Sequence, residues 1–249
     1  MPFQLDSWRN PPERLAAKSE EVHVWRAGLD RPRSIVESLL EILDSDERRQ
    51  AERFHFEKDR THFVVAHAVL RKIISRYVGV PPEALSFRSG PQGKPALTED
   101  WNGNGLRFNM SHSHGLALYG VTRGREVGID LEYIRRDFAS LEIARSFFSQ
   151  REIAMLSALP WNELAEGFFN CWTRKEAYIK AIGEGLSHPL NQFDVSLAPG
   201  EPAALLSTVE NPPAASRWTL KDVAPCEGYA AAVAVEGHGW SLNCWQFPD

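Results

Sequence analysis

Hydrophobic positions along this chain recur with two periods, and their order predicts a mixed fold. In Glu21–Ala27 (EVHVWRA), Val22 and Val24 alternate with His23 and Trp25, which predicts a strand. In Asp59–Val78, Phe63, Ala66, Leu70, Ile73, Ile74 and Tyr77 fall on one stripe, which predicts a long helix. Gly79 closes that helix and Pro81-Pro82 prevent its continuation. A second long helix is predicted over Asn162–Ile182, with Phe168, Trp172, Ile179 and Ile182 as its stripe and Gly183 as its stop. Shorter helical spacing marks Arg33–Leu43, Asp46–Phe54, Ser140–Phe148 and Gln150–Leu159. Strands are predicted running into Phe108-Asn109-Met110, over Leu116–Thr122 and Glu126–Tyr133, and later over Phe193–Leu197, Arg217–Val223, Tyr229–Val235 and Trp240–Phe247.

Each half therefore gathers strands around one long helix, which argues for an α+β fold, with two lobes as one arrangement of it. Residues 1–20, rich in Pro, Arg and Glu without periodicity, read as an N-terminal arm. The lobes are expected over 21–108 and 109–249, the second carrying an acidic strand. The glycine- and proline-rich stretch Ser89–Gly105 reads as loop.

Composition narrows the class. With 249 residues, 43 % hydrophobic and 24 % charged, the chain is an ordinary globular protein able to bury its own core. No apolar run reaches the length of a membrane span, and the first residues lack a basic-then-apolar leader pattern, so a cytoplasmic location is expected. Cys171, Cys226 and Cys244 are odd in number and far apart, which suits a reducing compartment and no disulfide or zinc framework. A net charge of −5 disfavours general nucleic-acid binding.

Five groups of residues can carry chemistry. On the strand Gly128-Ile129-Asp130-Leu131-Glu132, Asp130 and Glu132 share a face, roughly 6–7 Å apart. Two such carboxylates repel unless a hard cation joins them; a solvated acidic face has the same spacing. Glu176 and Lys180 are i, i+4 neighbours on the second long helix, read either as a surface ion pair or as a third carboxylate with a phosphate partner. Asn109-Met110-Ser111-His112-Ser113-His114 sets polar groups directly after an apolar strand, fit for phosphate binding or for capping backbone groups. No Gly-x-Ser-x-Gly elbow frames its serines, so a serine hydrolase is disfavoured. Gly93-Lys94 adds a charged turn that is not a Walker loop. Arg48, Arg49 and Arg53, with Arg60 and His62 further on, form a basic run suited to phosphate oxygens or simply to water.

Taken in order, Gly93-Lys94-Pro95, Phe108–Ser113, Gly128–Glu132 and Phe168–Lys180 (FFNCWTRKEAYIK) resemble the 4′-phosphopantetheinyl transferases, of the larger, monomeric, surfactin-synthetase-activating type. The resemblance spans roughly residues 45 to 197. It implies a pseudo-dimer of two similar lobes, each a small, mostly antiparallel sheet packed on a long helix, with coenzyme A as co-substrate in the cleft. It implies transfer of 4′-phosphopantetheine to a serine of an apo acyl, aryl or peptidyl carrier protein, with release of adenosine 3′,5′-bisphosphate. By resemblance, Asp130, Glu132 and Glu176 are the Mg²⁺ ligands, and Glu176 is also the general base. His112 and Ser111 meet the pyrophosphate, Lys180 holds the departing α-phosphate, and Lys175 meets the same phosphates or the pantetheine arm. Gly93, Lys94 and Pro95 line the adenine. Glu47 and Gln50 stand where relatives often carry lysines and His62 where arginine is common, so Arg48, Arg49 and Arg53 are expected to supply charge for the 3′-phosphate. Arg135, Arg136 and Arg145, with Phe147 and Phe148, are expected near an acidic carrier helix, although the two phenylalanines read by default as core. Competing readings are a non-catalytic module that binds coenzyme A or another nucleotide, and a Mg²⁺-dependent phosphohydrolase.

Overall fold

The computed structural model of the chain describes residues 8–248 apart from 14, 91–92, 99–100, 102–104, 210–211 and 224. Strand β1 (Glu21–Gly28) is followed by helices α1 (Arg33–Leu40), α2 (Ser45–Ala51) and α3 (Glu57–Val78). Two short strands, β2 (Phe87–Ser89) and β3 (Pro95–Leu97), precede β4 (Leu106–Ser113), β5 (Leu116–Arg123) and β6 (Val127–Tyr133). Helices α4 (Leu141–Phe147), α5 (Gln150–Ser157) and α6 (Leu164–Ile182) lead to β7 (Phe193–Val195), β8 (Leu205–Thr208), β9 (Trp218–Asp222), β10 (Tyr229–Glu236) and β11 (Ser241–Gln246). The fold is α+β, as the periodicities require.

Two sheets carry the architecture, with strand orders β11-β1-β5-β4 and β6-β10-β9. Alternation along each strand decides what lies on either side. On β1 and β5, Trp25, Ala27, Tyr119 and Val121 pack toward α3, while Val22, Val24 and Leu118 turn toward the other sheet. On β6 and β10, Ile129, Leu131, Val233 and Val235 meet them, while Ala230, Ala232 and Ala234 pack with the α6 residues Phe168, Cys171 and Ala177. The layers run helix, sheet, sheet, helix, so both sheets are covered on both faces.

Sheet membership departs from the expected lobe division at 108/109. That point falls inside β4, which pairs with β5 from Leu106↔Arg123 to Ser113↔Leu116. The turn between them reverses within His114 and Gly115, at φ 45° and 81°, too tightly to separate the two strands. The first sheet therefore extends through Arg123, and β11 returns at the far end of the chain to lie parallel to β1. Of the expected loose arm, residues 1–7 and 14 lie outside the described residues, and the rest is fastened. Arg9 exchanges backbone hydrogen bonds with Cys244 and Gln246, Arg76 donates to the carbonyl of Pro12, and Arg123 donates to that of Ala17. The loop predicted over 89–105 contains β3, paired with β2.

One glycine sets the distance between β6 and α6. A Cβ built on Gly128 would lie 2.1 Å from the Ala177 carbonyl oxygen and 2.3 Å from the Ala181 nitrogen. Helix and strand backbones thus meet at a spot where only hydrogen fits. Gly128→Ala is expected to push α6 off the sheet at a cost of about 1–3 kcal/mol, read as a lowered urea midpoint at unchanged slope.

Candidate active site

The face of β6 that carries Gly128 also carries Asp130 and Glu132, so the close approach of α6 brings Glu176 and Lys180 to the same place. Asp130 is buried; its Oδ1 accepts from Ser111 Oγ at 2.9 Å and from Lys180 Nζ at 2.6 Å. Its Oδ2 is buried with no hydrogen-bond partner among the described residues. Glu132 Oε2 accepts from Ser113 Oγ at 3.0 Å, and Asn109 Oδ1 accepts from the Ile129 amide at 2.9 Å. Asn109, Ser111 and Ser113 are alternate residues of β4, and together they lace the edge of the first sheet to β6. The Ser-His-Ser segment is therefore strand, not loop.

The acids press on one another. Burial, then the charge of Asp130, pushes Glu176 up to about 7, against the pull of Lys180 and with a further push from Glu132. Burial and Asp130 likewise raise Glu132, opposed by the Ser113 hydrogen bond, Lys180 and Arg135. Across the cleft, His112 keeps an edge open to solvent, yet the walls around its ring hold it below its ordinary value. Lys180 and the imidazoles of His67 and His62 add to that effect. Basic groups from α3, β4 and α6 thus converge on one side of the acids, a field suited to a polyphosphate.

Other expected contacts are placed differently. Arg48 donates to the carbonyls of Leu43 and Glu41 and so closes the end of α1, while Arg49 pairs with Asp46 and both Arg49 and Arg53 are exposed. His62 is buried and bonds Asp30 at 2.9 Å. Glu47, at the position where a lysine was expected, joins Asp44 in pairing the buried Arg71 and also meets His67. Gly93 makes a tight turn with Gly90 at φ 79°, and Pro91 and Gln92 lie outside the described residues. Lys94 points inward, donating to the carbonyls of Val127 at 3.0 Å and Ala181 at 3.3 Å. Its ammonium ties the first lobe to β6 and the end of α6. Beside it a cavity of about 330 Å³ is lined by Arg88, Pro95, Arg107, Phe108, Ile182 and Gly183 among others.

Lys175 is a clear correction. Its side chain is fully buried, 2.8 Å from the equally buried Glu152, and donates to the carbonyls of Leu190 and Phe193. A helix turns 100° per residue, so a lysine next to Glu176 faces the core when Glu176 faces the cleft. It cannot touch a coenzyme in that cleft. Phe148 is core, whereas Phe147 stands 41 % exposed with its ring against Trp172. Sequence reasoning grouped Asn109 and Ser113 in the polar run without giving either a role, and missed His67; continuing the two-residue alternation of β4 past Met110 would have set Asn109 and Ser113 on the face of Ser111.

A sequence model of the 4′-phosphopantetheinyl transferase superfamily matches residues 126–234, and one of the N-terminal region of 4′-phosphopantetheinyl transferases matches 31–120. The transferase HetI of Nostoc is 40 % identical over 97 % of this chain and 98 % of its own length. The chain belongs to the 4′-phosphopantetheinyl transferases. The transferase Sfp of Bacillus subtilis is 32 % identical to it over 68 % of this chain and 74 % of its own. A crystal structure of Helicobacter pylori holo-[acyl-carrier-protein] synthase with coenzyme A overlays at a TM-score of 0.36 and 19 % identity, covering 45 % of this chain and 99 % of that one.

The expected divalent ion can be tested against the donor set. Among the described residues no three His, Cys, Asp or Glu side chains stand together closely enough to hold a metal as they are. The chemistry of the pocket nevertheless fits one: Asp130 keeps a buried oxygen without a partner among the described residues, and Glu132 and Glu176 are both raised by burial and then by the charge of Asp130. A hard cation would relieve both.

Proposed function

We propose that the transferase moves 4′-phosphopantetheine from coenzyme A to a serine of an apo acyl, aryl or peptidyl carrier protein in the cleft between β4, β6 and α6. The observation that carries this reading is the pocket itself: a buried Asp130 with an unpartnered oxygen, beside a carboxylate poised near neutrality and a lysine. In the reaction the serine oxygen bonds to the β-phosphorus, and the bond from that phosphorus to the bridging oxygen breaks. Adenosine 3′,5′-bisphosphate leaves with the electron pair. Positioning and electrostatics supply most of the catalysis of such a step.

Glu176 accepts the serine proton, directly or through a water; a carboxylate near 7 is well matched to that task. Lys180 neutralises the departing α-phosphate, and His112, with Ser111 beside it, faces the pyrophosphate. Asp130, Glu132 and Glu176 would hold Mg²⁺, which when bound neutralises charge on the pyrophosphate. Gly93 and Pro95 border the adenine, and Arg49, Arg53 and His62 the 3′-phosphate. Phe54 packs on Phe63 and Phe63 on His67, which brings the end of α2 to the histidine side of the cleft. The two lobes, divided after Arg123, work within one chain as a monomer in the cytoplasm, and Arg135, Arg136 and Arg145 guide the encounter with an acidic carrier surface.

The deciding experiment incubates the protein with coenzyme A, Mg²⁺ and an apo carrier and weighs the carrier. A gain of one phosphopantetheinyl group is expected. Coenzyme binding without any gain would favour the non-catalytic module, and bisphosphate release without a carrier would favour a phosphohydrolase. Arg49→Ala with Arg53→Ala is expected to weaken coenzyme A roughly tenfold and dephospho-coenzyme A little, measured by calorimetry. Equal weakening would place the 3′-phosphate elsewhere.

A further inference from the structure

We infer that Lys180 is the counter-ion of Asp130 before a divalent cation arrives, and that lysine and cation compete for that carboxylate. The inference rests on the reading that Asp130 and Glu176 hold the cation.

Lys180 has a carboxylate one turn away on its own helix, at the i, i+4 spacing that pairs readily. Its ammonium crosses to the other element instead. It lies 2.6 Å from Asp130 Oδ1 and 3.2 Å from Ser111 Oγ. The choice has a physical reason. The Asp130 side chain is 4 % exposed, and a carboxylate so buried must find a positive partner or lose its charge. Lys180 is 27 % exposed and sits on the last turn before Gly183, so its stem can reach inward or swing out at little cost. The second Asp130 oxygen has no hydrogen-bond partner among the described residues. A divalent ion taking that oxygen brings two positive charges within a few ångströms of the ammonium, and their repulsion favours release of the lysine. The released ammonium then lies next to the cation, where phosphate oxygens must come. One residue thus keeps the acidic pocket balanced before loading and becomes a phosphate partner after it, so cation binding and phosphate binding are coupled through a single side chain.

The test titrates Mn²⁺ into the full chain without coenzyme A, followed by electron paramagnetic resonance and calorimetry. Lys180→Gln is expected to bind Mn²⁺ at least roughly tenfold tighter than the wild type, about 1.4 kcal/mol. Lys180→Arg, which keeps the charge, stays near wild type. In parallel, the rise in melting temperature on adding Mn²⁺ is larger for Lys180→Gln than for the wild type. Should the glutamine variant fail to fold, Lys180→Met keeps the aliphatic stem and answers the same question. Unchanged or weaker Mn²⁺ binding in the neutral variants, with binding abolished in Asp130→Asn, overturns the competition and leaves the cation site standing. Wild-type Mn²⁺ binding in Asp130→Asn removes the cation from this pocket, and the inference falls with it.

Discussion

Glu176→Gln is expected to fold and bind coenzyme A normally while losing roughly 10²- to 10⁴-fold in kcat, the range removed with a positioned general base. Glutamine keeps the size of the side chain but cannot accept the serine proton and is a poor ligand for a hard cation. The pH profile gives an independent reading. A base must be unprotonated, so wild-type kcat/KM carries a limb that rises with pH, and the variant loses that limb. Stability moves the opposite way. Glu176 holds its proton in the fold to a higher pH than in the unfolded chain, so from its ordinary value of 4.5 up to about 7 rising pH favours unfolding. Glutamine has no charge to bury, so at pH 8 and without metal the variant is expected to melt above the wild type. A variant that is both more stable and nearly inactive separates chemistry from folding. Wild-type turnover would remove Glu176 from both of its roles.

Lys175→Ala is expected to fail for a different reason, although the residue is the sequence neighbour of Glu176. It strands Glu152 without its ion-pair partner and the carbonyls of Leu190 and Phe193 without a donor. Removing one partner of such a buried pair costs about 3–5 kcal/mol. For a chain of this size that lowers the melting temperature by roughly 6–20 °C. The fraction that stays folded at low temperature is expected to bind coenzyme A as the wild type does. Adding Glu152→Gln should recover part of the loss, because the orphaned charge goes with it. Selective loss of coenzyme affinity at unchanged stability would return Lys175 to the cleft.

The contrast between Lys175 and Glu176 marks where reading the sequence ends. Long periodic elements were legible: α3 and α6 occupy the predicted stretches, because their apolar stripes are specified within the helix itself. The pairing of Asp130 and Glu132 on one strand face was legible for the same reason, since the alternation is local. Which carboxylate keeps a partner was not. That depends on Gly128 admitting α6 and on Ser111 arriving from another sheet. Lys175 read as a phosphate contact because lysine beside a site motif carries charge, and Lys94 as part of a turn at the adenine; both donate to main-chain carbonyls inside the protein, and only the packing shows it. The lobe boundary was misplaced because a polar run after Met110 resembles a loop, whereas its serines are fastened across to β6.

The parallel pairing of β11 with β1 joins residues 21–26 to residues 241–246. The whole of the second sheet and α6 is thus made between two halves of the first. During synthesis from the N-terminus, β1 emerges long before β11, and that edge stays uncovered until then. A nascent chain halted before residue 241 presents an unpaired strand edge, the surface most exposed to chaperones and to wrong partners. Pairing of β11 therefore closes the edge that β1 leaves open, and removing residues 241–246 should harm the yield of folded protein before it touches any group in the cleft.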